Sequence, residues 1–305
     1  MSKLKAMVWN IHGAASTGWS NQYEIKNFVV DKVVDIKADV IIINEFVVSQ
    51  GWDYFQQQLV AHNYIWFITH TSGNNGILIA VKKQILNNAD SIADQVYQTE
   101  IVTTTMTTKI KDKPNFLQVK LNIGEKELYV IGTRIRVKLD EVAARELNIE
   151  VRPKQKLSDE GKDKIQKTQI QFKNQQLKAL KEHLDSISPD AAILCGGDFN
   201  AWKNPIQTVM GSRYSVSTPT YRMGKWQDYS TLDVWSAVPY NDKNKQLFDH
   251  FISTTNVKVV NPMYDGWSFV ISNNTEYKDR RIEDYKSDLV GCPDHDILYA
   301  DIEIS

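Results

Sequence analysis

The sequence predicts an α/β protein. Short, wholly apolar runs of strand length end abruptly in polar residues, most clearly in Asp39–Phe46 (DVIIINEF) and Ala191–Cys195 (AAILC). Runs of this kind belong to strands covered on both faces. Stretches with apolar residues at helical spacing lie between them, and the chain is 42% hydrophobic and 10% aromatic, a composition that fills a packed core rather than a disordered tail. The 305 residues would allow two domains, but α/β units of this size often form one, and a single domain over 1–305 is expected.

Charge excludes some partners. With 36 Lys+Arg against 37 Asp+Glu the formal net charge is -1, so no global field draws the chain to nucleic acid or membrane, and polyanion binding requires a local patch. The two cysteines, Cys195 and Cys292, read as buried small hydrophobes rather than a disulfide framework. The opening MSKLKAMVWN lacks the apolar core of a secretory signal, and no apolar run reaches membrane-spanning length. A soluble, cytoplasmic monomer without membrane insertion is expected.

Leu4–Ile11 is the first strand, apolar through Ala6-Met7-Val8-Trp9 and ending at Asn10, with His12-Gly13 opening a loop. Ile25, Phe28, Val29, Lys32, Val33 and Ile36 then recur every three or four residues, an amphipathic helix over Glu24–Lys37 that would cover the sheet. Asp39–Phe46 is the second strand and delivers Asn44-Glu45 at its end; a carboxylate there is either a surface glutamate or an oxygen ligand for a hard divalent cation. Gly76–Val81 is the next strand, after the turn at 72–76. Phe116–Leu121 and Leu128–Val137 form a hairpin around Gly124-Glu125-Lys126.

From Arg134 to Lys181 there are 13 basic and 7 acidic residues, a local charge of +6. Ile165, Phe172, Leu177, Leu180 and Leu184 give Lys162–Leu184 a helical stripe, with Lys162, Lys164, Lys167, Lys173, Lys178 and Lys181 on the polar side; a basic helical insertion over about 138–184 is expected. Such a face is either a clamp for a phosphate backbone or simply a solvated surface. Gly196-Gly197 is expected to end the strand Ala191–Cys195, where the backbone must bend or be closely approached. Extended geometry beyond it would put Asp198 and Asn200 on one side and Phe199 on the other; in a turn, Asp198 and Asn200 would bond their own backbone instead. Trp202, Trp226 and Trp235, interleaved with Arg213, Arg222 and Lys225, suit base stacking less well than ordinary packing.

The segment GGDFN at 196–200 resembles the G-D-F-N motif of the endonuclease/exonuclease/phosphatase superfamily of metal-dependent phosphoesterases. Four more elements resemble that family in the right order: Trp9-Asn10 at the first strand's end, Asn44-Glu45 where Gln-Glu is usual, Leu247–Ile252 (LFDHFI) near its IDYIF strand, and Pro293-Asp294-His295 near its terminal SDH motif. Thr133-Arg134-Ile135 departs from the family's Thr-His-Leu, and Arg does not donate a proton because its pKa is too high.

The resemblance implies a four-layer α/β sandwich of DNase I-like type, two packed sheets flanked by helices. It also implies Mg²⁺ or Mn²⁺ held by Glu45, Asn10 and Asp294, with Asp198, Asn200, Asp249, His295 and Arg134 as catalytic residues and Arg134 and Asn200 contacting the phosphate. The expected substrate is a phosphate ester, with nucleic acid as one reading. A small-molecule phosphate, phosphoinositide or lipid headgroup is the alternative, and a non-catalytic binding protein a third.

Overall fold

Strands buried on both faces need cover on both sides, and the chain supplies it by pairing its apolar runs in parallel, which forces a helical crossover between them. In the computed structural model of the chain, residues 2–11, 23–46, 48, 52–69, 76–86, 92–97, 100–102, 107–109, 114–136, 159–218, 247–265, 270–272, 290–292 and 295–305 are described. In order the elements are β1 (Ser2–Asn10), α1 (Tyr23–Ile36), β2 (Val40–Phe46), α2 (Trp52–Ala61), β3 (Tyr64–Ile68), β4 (Gly76–Lys82), β5 (Ile92–Tyr97), β6 (Glu100–Val102), β7 (Thr107–Lys109), β8 (Pro114–Ile123) and β9 (Lys126–Arg134). They continue with α3 (Asp159–Ser186), β10 (Ala192–Asp198), α4 (Lys203–Met210), β11 (Tyr214–Ser217), β12 (Asp249–Thr254), β13 (Val257–Tyr264), β14 (Val270–Ser272), β15 (Val290–Cys292) and β16 (Leu298–Ile304).

Among the described residues there are two six-stranded sheets, ordered β13-β16-β1-β2-β4-β3 and β11-β12-β10-β9-β8-β5, with two small two-stranded ribbons beside them. Each large sheet is centred on one parallel pair, β1 with β2 through α1 and β9 with β10 through α3. An antiparallel strand flanks each pair, β16 beside β1 and β12 beside β10. The helical part of the basic segment is thus the crossover of the second sheet; 137–158 lie outside the described residues.

Three apolar layers hold the sandwich. Between the sheets, Val8, Ile42, Ile77 and Ile79 meet Leu117, Val130, Leu194 and Phe251. Outside the first sheet, Met7, Trp9, Ile41 and Ile43 pack on Val29, Val30 and Val33 of α1 and on Phe55 and Leu59 of α2. Outside the second, Ile131, Ile193, Cys195 and Ile252 pack on Leu177, Leu180 and Leu184 of α3 and on Ile206 and Met210 of α4. The order is helix, sheet, sheet, helix.

Gly196-Gly197 does not bend the chain, as β10 runs straight through both to Asp198. The glycines answer a close approach instead. A Cβ on Gly196 would lie 2.6 Å from Val8 Cγ2 of the facing sheet, and one on Gly197 only 1.8 Å from the Thr133 carbonyl oxygen on β9. Among the described residues, no helix is long and apolar enough to cross a membrane.

Candidate functional site

Parallel pairing fixes where chemistry collects. In register, Asn10 pairs with Asn44, and Asp198 with Arg134, so the C-terminal ends of both parallel pairs come out at one edge of the sandwich. The antiparallel neighbours begin there: Asp249, the first residue of β12, pairs with Asp198, and His295 precedes β16 by three residues.

Glu45 is turned inward by a local irregularity. Asn44 pairs with Ile77 and Phe46 with Gly76, which leaves Glu45 as the extra residue of a bulge, with a backbone φ of 55°. A left-handed glutamate is strained, and bulges are a common device for re-aiming a side chain. The carboxylate is buried, with Oε1 accepting from Asn10 Nδ2 at 2.9 Å and lying 2.6 Å from Arg134 Nη2. Asn10 Nδ2 also donates to Asp198 Oδ2 at 3.1 Å, so one amide bridges carboxylates from the two sheets.

GGDFN closes as a turn rather than continuing extended, although Asp198 and Asn200 still meet. Asp198 Oδ1 accepts from the backbone N–H of Asn200 at 2.9 Å, as in a self-bonded Asx turn, and Asn200 Nδ2 donates to Asp198 Oδ2 at 2.8 Å and to the Ile135 carbonyl at 2.8 Å. Asn200 sits at φ 47°, a conformation Asn tolerates better than most residues, so the strand geometry stops at Asp198. Phe199 is fully buried in the layer under α4 and pins the turn.

Beside this cluster His295 Nδ1 lies 3.0 Å from Asp249 Oδ2. Asp249 also accepts from Tyr264 Oη at 3.4 Å, while Trp9 Nε1 donates to the His295 carbonyl at 2.9 Å. One ligand atom each from Asp198, Asp249 and His295 fall within 4.8 Å of one another. Burial pushes the Asp198 carboxyl above the usual carboxylate range and Asp249 adds to the effect, while His295 and Arg134 pull it down. Asp294 lies outside the described residues, as do His12, Arg222, Lys225, Trp226 and Trp235.

Three supporting residues escaped the sequence reading. Lys173 belongs to the polar side of the helical pattern, yet its ammonium turns inward and donates to the Asn200 carbonyl oxygen; burial lowers its pKa and the nearby Asp198 charge partly offsets this. Gln176 of α3 closes a pair of bonds with the Arg136 backbone, accepting at 3.0 Å and donating at 3.0 Å. Trp9 belongs to the apolar run and to the Trp-Asn element of the resemblance, but no pattern in the sequence marks its bond to the His295 backbone. His250 packs tilted against Phe199, with Nε2 2.9 Å from the Ala201 carbonyl.

The donor set fits a hard divalent cation. Glu45, Asp198 and Asp249 are three buried carboxylates, and Asp249 Oδ1 has no hydrogen-bond partner among the described residues. Buried carboxylates need compensating charge, which a metal ion held beside Asp198, Asp249 and His295 would supply.

Two mixed sheets packed face to face, with helices outside and this polar rim at one edge, define a DNase I-like α/β sandwich. More specifically, the fold is that of the endonuclease/exonuclease/phosphatase proteins. The chain matches such a protein from Bacteroides vulgatus at a TM-score of 0.58 with 11% identity, over 100% of both chains. It matches the human Nocturnin catalytic domain with bound sulfate at 0.58 with 13% identity, over 99% of this chain and 94% of that one. It matches D. rerio TDP2 complexed with a single-strand DNA product at 0.55 with 12% identity, over 99% and 100%. No family model matches the sequence, and no curated protein matches it either.

Proposed function

We propose that the chain is a metal-dependent phosphoesterase that hydrolyses phosphodiester bonds in the manner of a nuclease. The observation that carries this reading is the single cluster of Asn10, Glu45, Arg134, Asp198 and Asn200 beside the Asp249–His295 pair. A phosphate ester resists attack because its oxygens repel the nucleophile, so a site must supply cationic charge, a positioned water and help for the leaving group.

Glu45 and Asn10 would hold Mg²⁺ or Mn²⁺, with Asp294 as a further ligand. Such an ion supplies positive charge against the phosphoryl oxygens. Asp198 orients the attacking water and takes its proton; a carboxyl raised by burial is better matched to that task than an ordinary one. Arg134 contacts the phosphate through its planar fork. Asn200 does so by trading one of its present amide bonds. With Nδ1 committed to Asp249, His295 stabilises the crowded phosphoryl group or hands a proton to the leaving oxygen through Nε2.

Nucleic acid is the preferred substrate class because the chain shares its fold with a protein complexed with a single-strand DNA product, and because α3, whose sequence is rich in lysine, reaches the site through Lys173. A small phosphate ester, phosphoinositide or lipid headgroup is the second reading, favoured by Arg134 standing where the resembled motif has His. The test is hydrolysis of plasmid DNA, single-stranded DNA, RNA, a generic diester and a generic monoester in Mg²⁺ or Mn²⁺, with His295→Ala alongside. Metal-dependent cleavage of nucleic acid that disappears in the variant supports the first reading, and turnover of small esters alone supports the second. A normal rate in His295→Ala or Asp198→Ala would remove these residues from the chemistry.

A further inference from the structure

Arg134 is the residue at which the chain departs from the motif it resembles, and its side chain goes where the sequence gives no hint. It is the last residue of β9 and pairs in register with Asp198 of the same sheet. The guanidinium nevertheless reaches into the other sheet, with Nη2 2.6 Å from Oε1 of Glu45 at the β2 bulge and Nε 3.9 Å from Asp198 Oδ2. The same Glu45 oxygen accepts from Asn10 Nδ2. The oxygen that the metal-dependent reading gives to a divalent ion therefore already has a cation and an amide donor against it.

The two charges are largely withdrawn from water, with side-chain exposures of 24% for Arg134 and 7% for Glu45. Coulomb forces are weakly screened there, so a divalent ion brought to Oε1 would meet the guanidinium at close range and be repelled. A guanidinium does not relieve such a conflict by losing its proton. The Arg134 stem can turn instead. Its Nε lies 3.9 Å from Asp198 Oδ2, so a swing off Glu45 would keep the guanidinium near the same rim.

We infer that Arg134 is a resident cation that competes with the divalent ion for Glu45, and that ion binding releases it to grip the phosphate. The inference rests on the metal-dependent reading above and adds to it a coupling between two ligands. With no ion bound, the guanidinium compensates a site crowded with buried carboxylates. With the ion bound it leaves Glu45, so ion and tetrahedral anion favour the same position of one side chain and bind cooperatively. Linkage makes that cooperativity reciprocal.

The experiment is a titration with Mn²⁺, read from the electron paramagnetic resonance of the free ion, on the wild-type chain, Arg134→Gln, Arg134→Lys and Glu45→Gln, with near-ultraviolet circular dichroism confirming each fold. Arg134→Gln is expected to bind Mn²⁺ roughly tenfold or more tightly than wild type, Arg134→Lys to gain less, and Glu45→Gln to lose roughly tenfold or more. Sulfate at constant ionic strength is expected to tighten Mn²⁺ binding to wild type and to leave Arg134→Gln unchanged.

Equal or weaker binding by Arg134→Gln, with Mn²⁺ still bound by wild type, overturns the competition and leaves the metal reading standing. Unchanged binding by Glu45→Gln also overturns it, since the ion then sits elsewhere, as at Asp198, Asp249 and His295. Absence of Mn²⁺ binding by both wild type and Arg134→Gln overturns the inference and the metal-dependent reading together. Should Arg134→Gln fail to fold, Arg134→Lys and the sulfate effect on wild type decide the question, and the lack of both a gain and a coupling rejects it.

Discussion

Replacing Gly197 with alanine tests the frame that carries the site. An alanine Cβ would lie 1.8 Å from the Thr133 carbonyl oxygen, 2.8 Å from its carbon and 3.2 Å from its Cγ2. Carbon and oxygen approach no nearer than about 3.3 Å, so β9 and β10 must part by about 1.5 Å at this pair. Separation at that level weakens the ladder bonds on either side, about two of them at about 1 kcal/mol each. Packing strain adds about 2 kcal/mol, for a total of about 4 kcal/mol. That is a large share of a total stability of about 5–15 kcal/mol.

Gly196→Ala is the control, because its Cβ meets the Val8 side chain at 2.6 Å rather than a backbone atom, and side chains can yield. Denaturant unfolding with linear extrapolation compares the two. The Thr133 carbonyl also accepts from Asn44 Nδ2 at 2.8 Å, and Arg134 follows it in the chain, so Gly197→Ala should disturb Arg134 even if the fold survives. A Gly197→Ala protein within about 1 kcal/mol of wild type would refute the β9–β10 register described here.

Three further outcomes are expected. Asp249→Asn should lower kcat by about 10²–10⁴ with the fold intact, because it removes the carboxylate that orients His295, whereas Tyr264→Phe should act weakly, its bond to Asp249 being 3.4 Å; equal effects of the two would count against an orienting role for Asp249. Lys173 loses its proton more readily in the fold than in the unfolded chain, so the unfolded state binds more protons between its lowered value and 10.5. Wild-type stability relative to Lys173→Met should therefore rise with pH across that window, and a flat difference would mean that Lys173 is not held by its burial. If the substrate is a polynucleotide, Lys167→Gln and Lys178→Gln on α3 should each reduce the salt slope of binding by about 1, and an unchanged slope would leave this face as plain solvated surface.

The doubly covered strands were legible in the sequence because such strands must be apolar along their length and can turn polar only at their ends, whereas the order of the layers came from the family resemblance alone. Asn10, Glu45 and Asp198 could thus be assigned to strand ends from the sequence, whereas Arg134 fell inside the expected strand Leu128–Val137, which in the structure stops at Arg134. The elements missed had weak local signals. α2 is short and buries only Phe55 and Leu59. β13 contains Pro262, a residue that argues against a strand, and the structure reconciles the two by placing β13 at a sheet edge with a register shift between Val260 and Met263.

What lay beyond the sequence was decided by contacts between the sheets. Nothing in VIIINEF indicates that Glu45 is the extra residue of a bulge, because the bulge exists only against Ile77 and Gly76 of β4. A helical wheel gives Lys173 to solvent, but its long stem lets the ammonium reach back to Asn200. Arg134 is the sharpest case. Its strand position could be read, while its partner could not, since Glu45 belongs to the other sheet and is turned toward it by that same bulge. The departure at Arg134 and the strain at Glu45 are therefore two halves of one arrangement, in which a backbone distortion in one sheet presents a carboxylate to a guanidinium from the other.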